Sequence, residues 1–401
     1  METSYNLPPL YALGDEGQGV TIAIIDSFGN PNMASDLANF DTQFGLPHMC
    51  GEVGAACGAG VPTFTHVYWN GKTEVNTPPS NGTGLQSRGI WALETSLDVE
   101  WAHSIAPMAN IINITTNPAE TQGVQGFPPM MAAEQYVVDH HQATVISQSF
   151  GSTEQTFSTS SLLNLRHAFI SAAANGVTVL ASSGDFGTAN PGKTPIKNPA
   201  TIPYPTVQWP ASDPLVTGVG GTYLCTDPTT GTTVDSADPP SPCQNNPGVR
   251  EIGWIDAGGG FSSIFAKPAY QNTLPAGSTA IAGKRGVPDV GYQASSRTGA
   301  LVYDTVDGGW FVVGGTSSGA PQWAGLVAIA DQIAGHGLGL INTKLYQLAN
   351  GPNYSNDFYD VTTGNNQTDP NVPGYPATTG WDPVTGLGTP NAANLLPDLA
   401  S

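Results

Sequence analysis

The segment Gly19-Val20-Thr21-Ile22-Ala23-Ile24-Ile25-Asp26 constrains the fold more than any other part of the chain. Its apolar residues run consecutively instead of alternating with polar ones, so both faces of such a strand must be covered. Comparable strands are expected at Thr65 to Trp69, Ala109 to Thr115, Ala143 to Gln148 and Val177 to Ser182. Between them lie stretches with helical spacing: Met33 to Phe40, Ile90 to His103, Met130 to Val138 and Ser160 to Asn175. Strands alternating with helices of this length predict an α/β fold with a mainly parallel central sheet and helices on both faces. Residues 186–300 read as loop-rich, with no repeat and no composition break, so one domain over residues 1–401 is expected.

A second constraint lies at Gly314-Gly315-Thr316-Ser317-Ser318-Gly319-Ala320-Pro321. Trp310 to Val313 before it reads as a short buried strand, and Trp323, Leu326, Val327, Ala330 and Ile333 after it recur at helical spacing, with Gly335 as a stop. Ser317 therefore falls on a strand-to-helix turn, at the positive end of a helix, where a negative charge beside it is favoured. A capping serine at the head of a core helix fits the same pattern, so other residues must decide.

Composition narrows the choice. Lys+Arg 11 against Asp+Glu 31 gives a formal charge of -20, which leaves little to neutralise phosphates and excludes nucleic acid as a partner. Charged residues are nevertheless only 10% of the chain, well below the usual quarter or so. Near pH 4 many carboxylates would be neutral and few cations would remain to repel one another, which suits an acidic medium. The 49 glycines and 34 prolines imply many turns. Four cysteines allow three connectivities, and local closure, Cys50–Cys57 and Cys225–Cys243, is expected over four free thiols. No apolar run approaches the ~20 residues that cross a bilayer, and no signal peptide is visible at Met1.

The acids hold the strongest chemical signal. Glu94 and Asp98 are four residues apart on one expected helix and share a face, whereas Glu100 points elsewhere. Such a pair is either a solvated acidic face or a coupled dyad that shares a proton. Asp185, in Ser182-Ser183-Gly184-Asp185, and Asp26 both lie at the carboxyl ends of strands, the edge where open α/β sheets place their sites. Either could equally be a turn or capping residue. A serine nucleophile usually takes histidine as its base. Of the seven histidines only His103 shares the Glu94 helix, and it faces the other side, so a base for Ser317 would be a carboxylate.

With those residues in view, the sequence resembles the sedolisin family, the serine-carboxyl peptidases, which share the subtilisin fold and work at low pH. The matching segments are Glu94-Thr95-Ser96-Leu97-Asp98, Ser149-Phe150-Gly151, Ser182-Ser183-Gly184-Asp185, Trp209-Pro210-Ala211-Ser212, Val219-Gly220-Gly221-Thr222, Gly258-Gly259-Gly260-Phe261-Ser262, Arg285-Gly286-Val287-Pro288-Asp289-Val290, Gly315-Thr316-Ser317 and Gly380-Trp381-Asp382-Pro383-Val384-Thr385-Gly386-Leu387-Gly388. The resemblance implies a subtilisin-like three-layer α/β fold and an acid-acting endopeptidase. In that reading Ser317 is the nucleophile, Glu94 the general base, Asp98 its partner, and Asp185 a protonated donor to the oxyanion.

The resemblance also implies one structural Ca²⁺ held by Asp360 and Asp382 through carboxylates and by Val361, Thr378 and Gly380 through carbonyls. Thr378 stands where the family usually has glycine. Ser149, Phe150 and Gly151 would pair with an extended peptide substrate. Further implications are a secreted, extracellular monomer, a mature catalytic domain with a calcium segment at about residues 355–392, and maturation from its own N-terminal prosegment, of which none precedes Met1. Asp26 resembles the aspartate of the subtilisins, yet no matching histidine motif accompanies it. It is expected to be a structural relic, the alternative being contact with Glu94 and Asp98. A subtilisin-like peptidase built on Asp26 and a catalytically dead extracellular binding protein remain as other readings.

Overall fold

A computed structural model describes residues 1–77, 88–117, 126–192, 200–225 and 242–401. Its centre is a nine-stranded sheet. In spatial order the main path runs Glu251–Gly253, Thr217–Leu224, Thr178–Ser182, Val145–Gln148, Thr21–Ser27, Asn110–Thr116, Phe64–Trp69 and Glu74–Val75. Val290–Gln293 pairs in parallel with Thr217–Leu224. The inner pairings are parallel, with Ile22 opposite Val145 and Ile111, while the Glu251–Gly253 and Glu74–Val75 edges are antiparallel.

Both faces of the sheet are covered, as the continuous apolar strands require. On Thr21–Ser27, Ile22 and Ile24 enter one core layer with Val99, Trp323, Leu326 and Val327. Ala23 and Ile25 enter the opposite layer with Met130, Val137 and Phe169. The first layer is built by helices Arg88–Ile105, Gly319–Ala334 and Ala392–Ala400, the second by Phe127–Asp139 and His167–Ala174. Cutting one of these buried side chains to alanine costs about 2–5 kcal/mol. The cysteines close locally, as Cys50–Cys57 and Cys225–Cys243.

Three expectations are corrected. Ser160 to Asn175 is not one helix: it breaks at Arg166 into Thr159–Leu165 and His167–Ala174. Arg166 spends its guanidinium on both oxygens of Asp213, each at 2.9 Å, a tertiary fork that no local periodicity reveals. The strand before the serine turn, Gly309–Val313, is not buried. It forms a hairpin with Ala300–Asp304, and Trp310 and Val312 are 43% and 55% exposed. Finally, the loop-rich span 186–300 contains a fully buried central strand, Thr217–Leu224. Its glycines disguise it. A Cβ on Gly220 would lie 2.5 Å from Pro288 Cγ and 2.6 Å from the Val384 carbonyl oxygen, so only glycine fits there.

The Arg285 to Val290 motif belongs to this packing. Arg285 is fully buried and pairs with Asp289 at 2.5 Å. Asp289 also accepts from the Gly218 amide and from the Tyr346 hydroxyl, so the pair ties Thr217–Leu224 to the helix Asn342–Ala349.

Candidate active site

The cleft lies over the carboxyl ends of the central strands. Asp26 ends the Thr21–Ser27 strand, Ser149 follows Val145–Gln148, and Asp185 follows Thr178–Ser182. The helix Arg88–Ile105 brings Glu94 and Asp98 to the same place, and Gly319–Ala334 presents Ser317 just ahead of its N-terminus, in the single turn Thr316–Ser318. Gly335, in the left-handed conformation with φ 75°, stops that helix where expected. A cavity of about 200 Å³ is lined by Glu94, Ser149, Phe150, Gly151, Gly184, Asp185 and Ser317, with Ile90, Trp91 and Phe186 on its walls.

Asp98 stands behind this lining, with no exposure to solvent. Ser149 Oγ donates to Asp98 Oδ1 at 2.8 Å and lies 3.3 Å from the Ser317 carbonyl oxygen. Burial raises the Asp98 pKa well above the ordinary range; the charges of Asp26 and Glu94 raise it further, and the Ser149 bond lowers it. Such a group holds a proton that its neighbours can share.

Asp26 is not an idle relic. It is fully buried, accepts a hydrogen bond from Asn113 Nδ2 at 2.8 Å, and acts electrostatically on Asp98. Burial pushes its pKa up to about 7, against the lowering effect of Asn113 and Thr95. The sequence signal for this proximity was present, an acid at a strand end, but only the packing of the Arg88–Ile105 helix brings the two carboxyls within electrostatic reach of each other. All seven histidines are described and none lines the cleft, which removes the histidine that a subtilisin-like site on Asp26 would need. Glu100 points away, accepting from the Tyr303 amide at 3.0 Å.

Asp185 is exposed at the cleft mouth, and Thr316 donates to its Oδ1 from both its amide and its Oγ, each at 2.8 Å. The protein crowded behind the carboxyl raises its pKa, and the two Thr316 bonds partly offset this. A peptide laid across the mouth would remove the remaining water and strengthen the upward shift. Ser149 and Phe150 are buried, and the backbone of Ser149, Phe150 and Gly151 makes no hydrogen bond to the described backbone. That leaves main-chain donors and acceptors beside Ser317 for an extended chain to pair with.

The C-terminal loops carry the expected metal residues. Asp360 accepts twice from the Gly380 amide, at 3.1 and 3.0 Å, and Asp382 accepts from the amides of Thr378, Val384 and Thr385. Both carboxyls therefore meet the same short segment, Thr378 to Gly380. The carbonyl oxygens of Val361, Thr378 and Gly380 accept no hydrogen bond from a described residue, although Val361 and Gly380 are buried. Orphaned carbonyls beside two desolvated carboxyls form an all-oxygen donor set that fits a hard cation such as Ca²⁺. Asp360 would have to give up its Gly380 bond, which its half-exposed position permits.

No family model matches the chain. Among characterised proteins it is 33% identical over 393 residues to kumamolisin of Bacillus sp. (strain MN-32), a match covering 96% of this chain and 60% of that protein. Tripeptidyl-peptidase 1 of Macaca fascicularis is 32% identical over 339 residues, covering 79% of this chain and 53% of that protein. The chain thus spans a little more than half the length of these relatives. Among solved structures it is similar to Pseudomonas sedolisin, a serine-carboxyl proteinase complexed with two molecules of pseudo-iodotyrostatin. That match has a TM-score of 0.72 and 25% identity over 98% of this chain and 96% of that one. Kumamolisin and tripeptidyl-peptidase 1 through sequence, and Pseudomonas sedolisin through fold, all indicate the sedolisin family for this chain.

Proposed function

We propose that the protein is an acid-acting endopeptidase that cleaves proteins and peptides through Ser317. The observation that carries this reading is the meeting of Glu94, Asp185 and Ser317 in one cleft that holds no histidine, with Asp98 and Asp26 buried behind. Ser317 Oγ attacks the scissile carbonyl carbon as its proton passes to Glu94. Asp98 holds the proton balance of Glu94 from behind. The tetrahedral oxyanion is met by a neutral Asp185 and by the Ser317 amide at the head of the Gly319–Ala334 helix. The oxyanion then collapses and expels the amine, which takes the proton from Glu94. Water repeats the sequence on the acyl-enzyme, Glu94 removing its proton, to free the acid and Ser317.

The two carboxyl roles set opposite demands. Glu94 must be ionised to accept a proton and Asp185 must be neutral to donate one, so activity peaks in acid and fails as Asp185 ionises. Ser149, Phe150 and Gly151 bind the substrate by strand addition. A structural Ca²⁺ is held by Asp360, Val361, Thr378, Gly380 and Asp382, where it would supply positive charge to cross-link the C-terminal loops. Among the described residues no helix is long and apolar enough to cross a membrane. A secreted monomer matured from its own prosegment is the form that fits this activity.

The test is digestion of casein at pH 4 and at pH 8 by the protein and by Ser317→Ala. Cleavage at pH 4 alone, abolished by the substitution, is expected. Cleavage at pH 8 would overturn the acid mechanism, and none at either pH would favour a catalytically dead binding protein.

A further inference from the structure

We propose that Asp41, His48 and Glu52 form a second metal site, away from the serine cleft, that takes a divalent transition metal of the zinc type. One ligand atom from each of the three, a nitrogen and two oxygens, can be chosen so that all lie within 4.8 Å of one another. Asp41 sits on the helix Met33–Phe44 with no solvent exposure; its Oδ2 has His103 Nε2 at 3.3 Å, and neither carboxylate oxygen accepts a hydrogen bond of good geometry. A buried carboxylate left in that state is costly, and it faces a second buried carboxylate, Glu52. His48 Nδ1 lies 2.5 Å from Glu52 Oε2, and Glu52 Oε1 accepts from the Met49 amide.

The surroundings hold these groups in place. The loop that carries His48 and Glu52 is closed by Cys50–Cys57 and tied back to the Asp41 helix by the Val53 amide, which donates to the Ala34 carbonyl at 3.0 Å. His103 Nε2 lies 3.3 Å from Asp41 Oδ2 and 3.0 Å from the Pro47 carbonyl, so it orients the Asp41 carboxyl from the inner side, as outer partners of metal ligands do. The His48 side chain is 45% exposed, which gives an ion a way in from solvent.

The donor chemistry selects the metal. Imidazole with carboxylates suits zinc and its neighbours, three protein ligands leaving a position for water, whereas Ca²⁺ takes six to eight oxygens and no nitrogen. Zinc bonds of ~2.0–2.1 Å place tetrahedral ligands roughly 3.4 Å apart. The 2.5 Å His48–Glu52 contact must therefore open and the widest separation, up to 4.8 Å, must close by about an ångström, which the exposed His48 side chain can supply by turning. The competing occupant is a proton shared between Asp41 and Glu52.

The experiment titrates the calcium-saturated protein at pH 8 with Co²⁺ and then Zn²⁺, since a metal must displace the proton that the Glu52 contact helps His48 to hold. One equivalent of Co²⁺ is expected to give the visible absorption of low-coordinate cobalt and a higher melting temperature, with Zn²⁺ displacing it and excess Ca²⁺ failing to. His48→Ala, a change at an exposed position, should weaken binding by on the order of 100-fold, and Glu52→Gln should act likewise. Absence of cobalt absorption and of any thermal shift would assign the pocket to the shared proton. Binding unchanged in His48→Ala would equally overturn the site.

Discussion

Thr316 grips one oxygen of Asp185 twice, its amide and its hydroxyl each 2.8 Å from Oδ1. The second oxygen is thereby turned towards Gly315, whose backbone lies at φ 124° and where an added Cβ would come within 2.7 Å of Oδ2. Oδ2 is thus the position that can carry a proton for donation to an oxyanion. Gly315→Ala would strain the turn and push that oxygen aside. The expected result is a fall in kcat of about 10²–10³-fold, the scale of losing one oxyanion donor. A near-normal kcat in a folded Gly315→Ala protein would refute the assigned role of Asp185.

The carboxyl pair is tested separately. Glu94→Gln removes the proton acceptor and should lower kcat by about 10²–10⁴-fold. Ser149→Ala leaves Glu94 in place but deletes the hydrogen bond that lowers the Asp98 pKa. It should move the acid limb of the kcat profile to higher pH, with a smaller loss at the optimum. Full activity of Glu94→Gln across pH 3 to 7, or an unmoved limb in Ser149→Ala, would count against the dyad.

Folding stability should fall as pH rises. Burial lifts Asp26 from 3.8 to about 7 and Asp331 from 3.8 to about 6. Each binds its proton more tightly in the folded state than in the unfolded one. Between pH 4 and 7 the folded protein therefore holds more protons than the unfolded chain, and stability declines with pH over that window. The melting temperature is expected to be higher at pH 4 than at pH 7.5, and Asp26→Asn should flatten the part of the slope nearest pH 7. A melting temperature that climbs steadily from pH 4 to 7.5 would contradict this.

Calcium removal is the fourth test. An ion held only by the folded protein adds about 2.7 kcal/mol at one hundred times its dissociation constant. Excess EGTA should therefore lower the melting temperature, and Asp382→Asn should lower it too and abolish the response to added Ca²⁺. An unchanged transition in the presence of the chelator would remove the ion from Asp360 and Asp382.

Much of the molecule was legible in local pattern, because local pattern reports burial. The unbroken apolar run of Ile22 to Ile25 required cover on both faces and received it. The Ser317 turn, its helix and the Gly335 stop follow from glycine conformations and helical spacing. Where side-chain volume vanishes, the pattern fails: the central strand Thr217–Leu224 hid behind Gly218, Gly220 and Gly221, whose absent side chains make room for Ala211, for Pro288 and Val384, and for Trp254 and Ala294 respectively. The apolar run at Trp310 to Val313 misled in the other direction, since a hairpin strand leaves one face to water.

The sequence by itself determined the periodicities, the turn that presents Ser317 and the spacing that sets Glu94 and Asp98 on one helical face, because these depend on residues within a few positions of each other. Only the tertiary structure decided that Asp26 lies within electrostatic reach of Asp98, that Ser149 joins Asp98 to the Ser317 backbone, and that Asp41 meets His48 and Glu52. Proton affinity depends on desolvation and on charges a few ångströms away, and both are set by elements far apart in the chain.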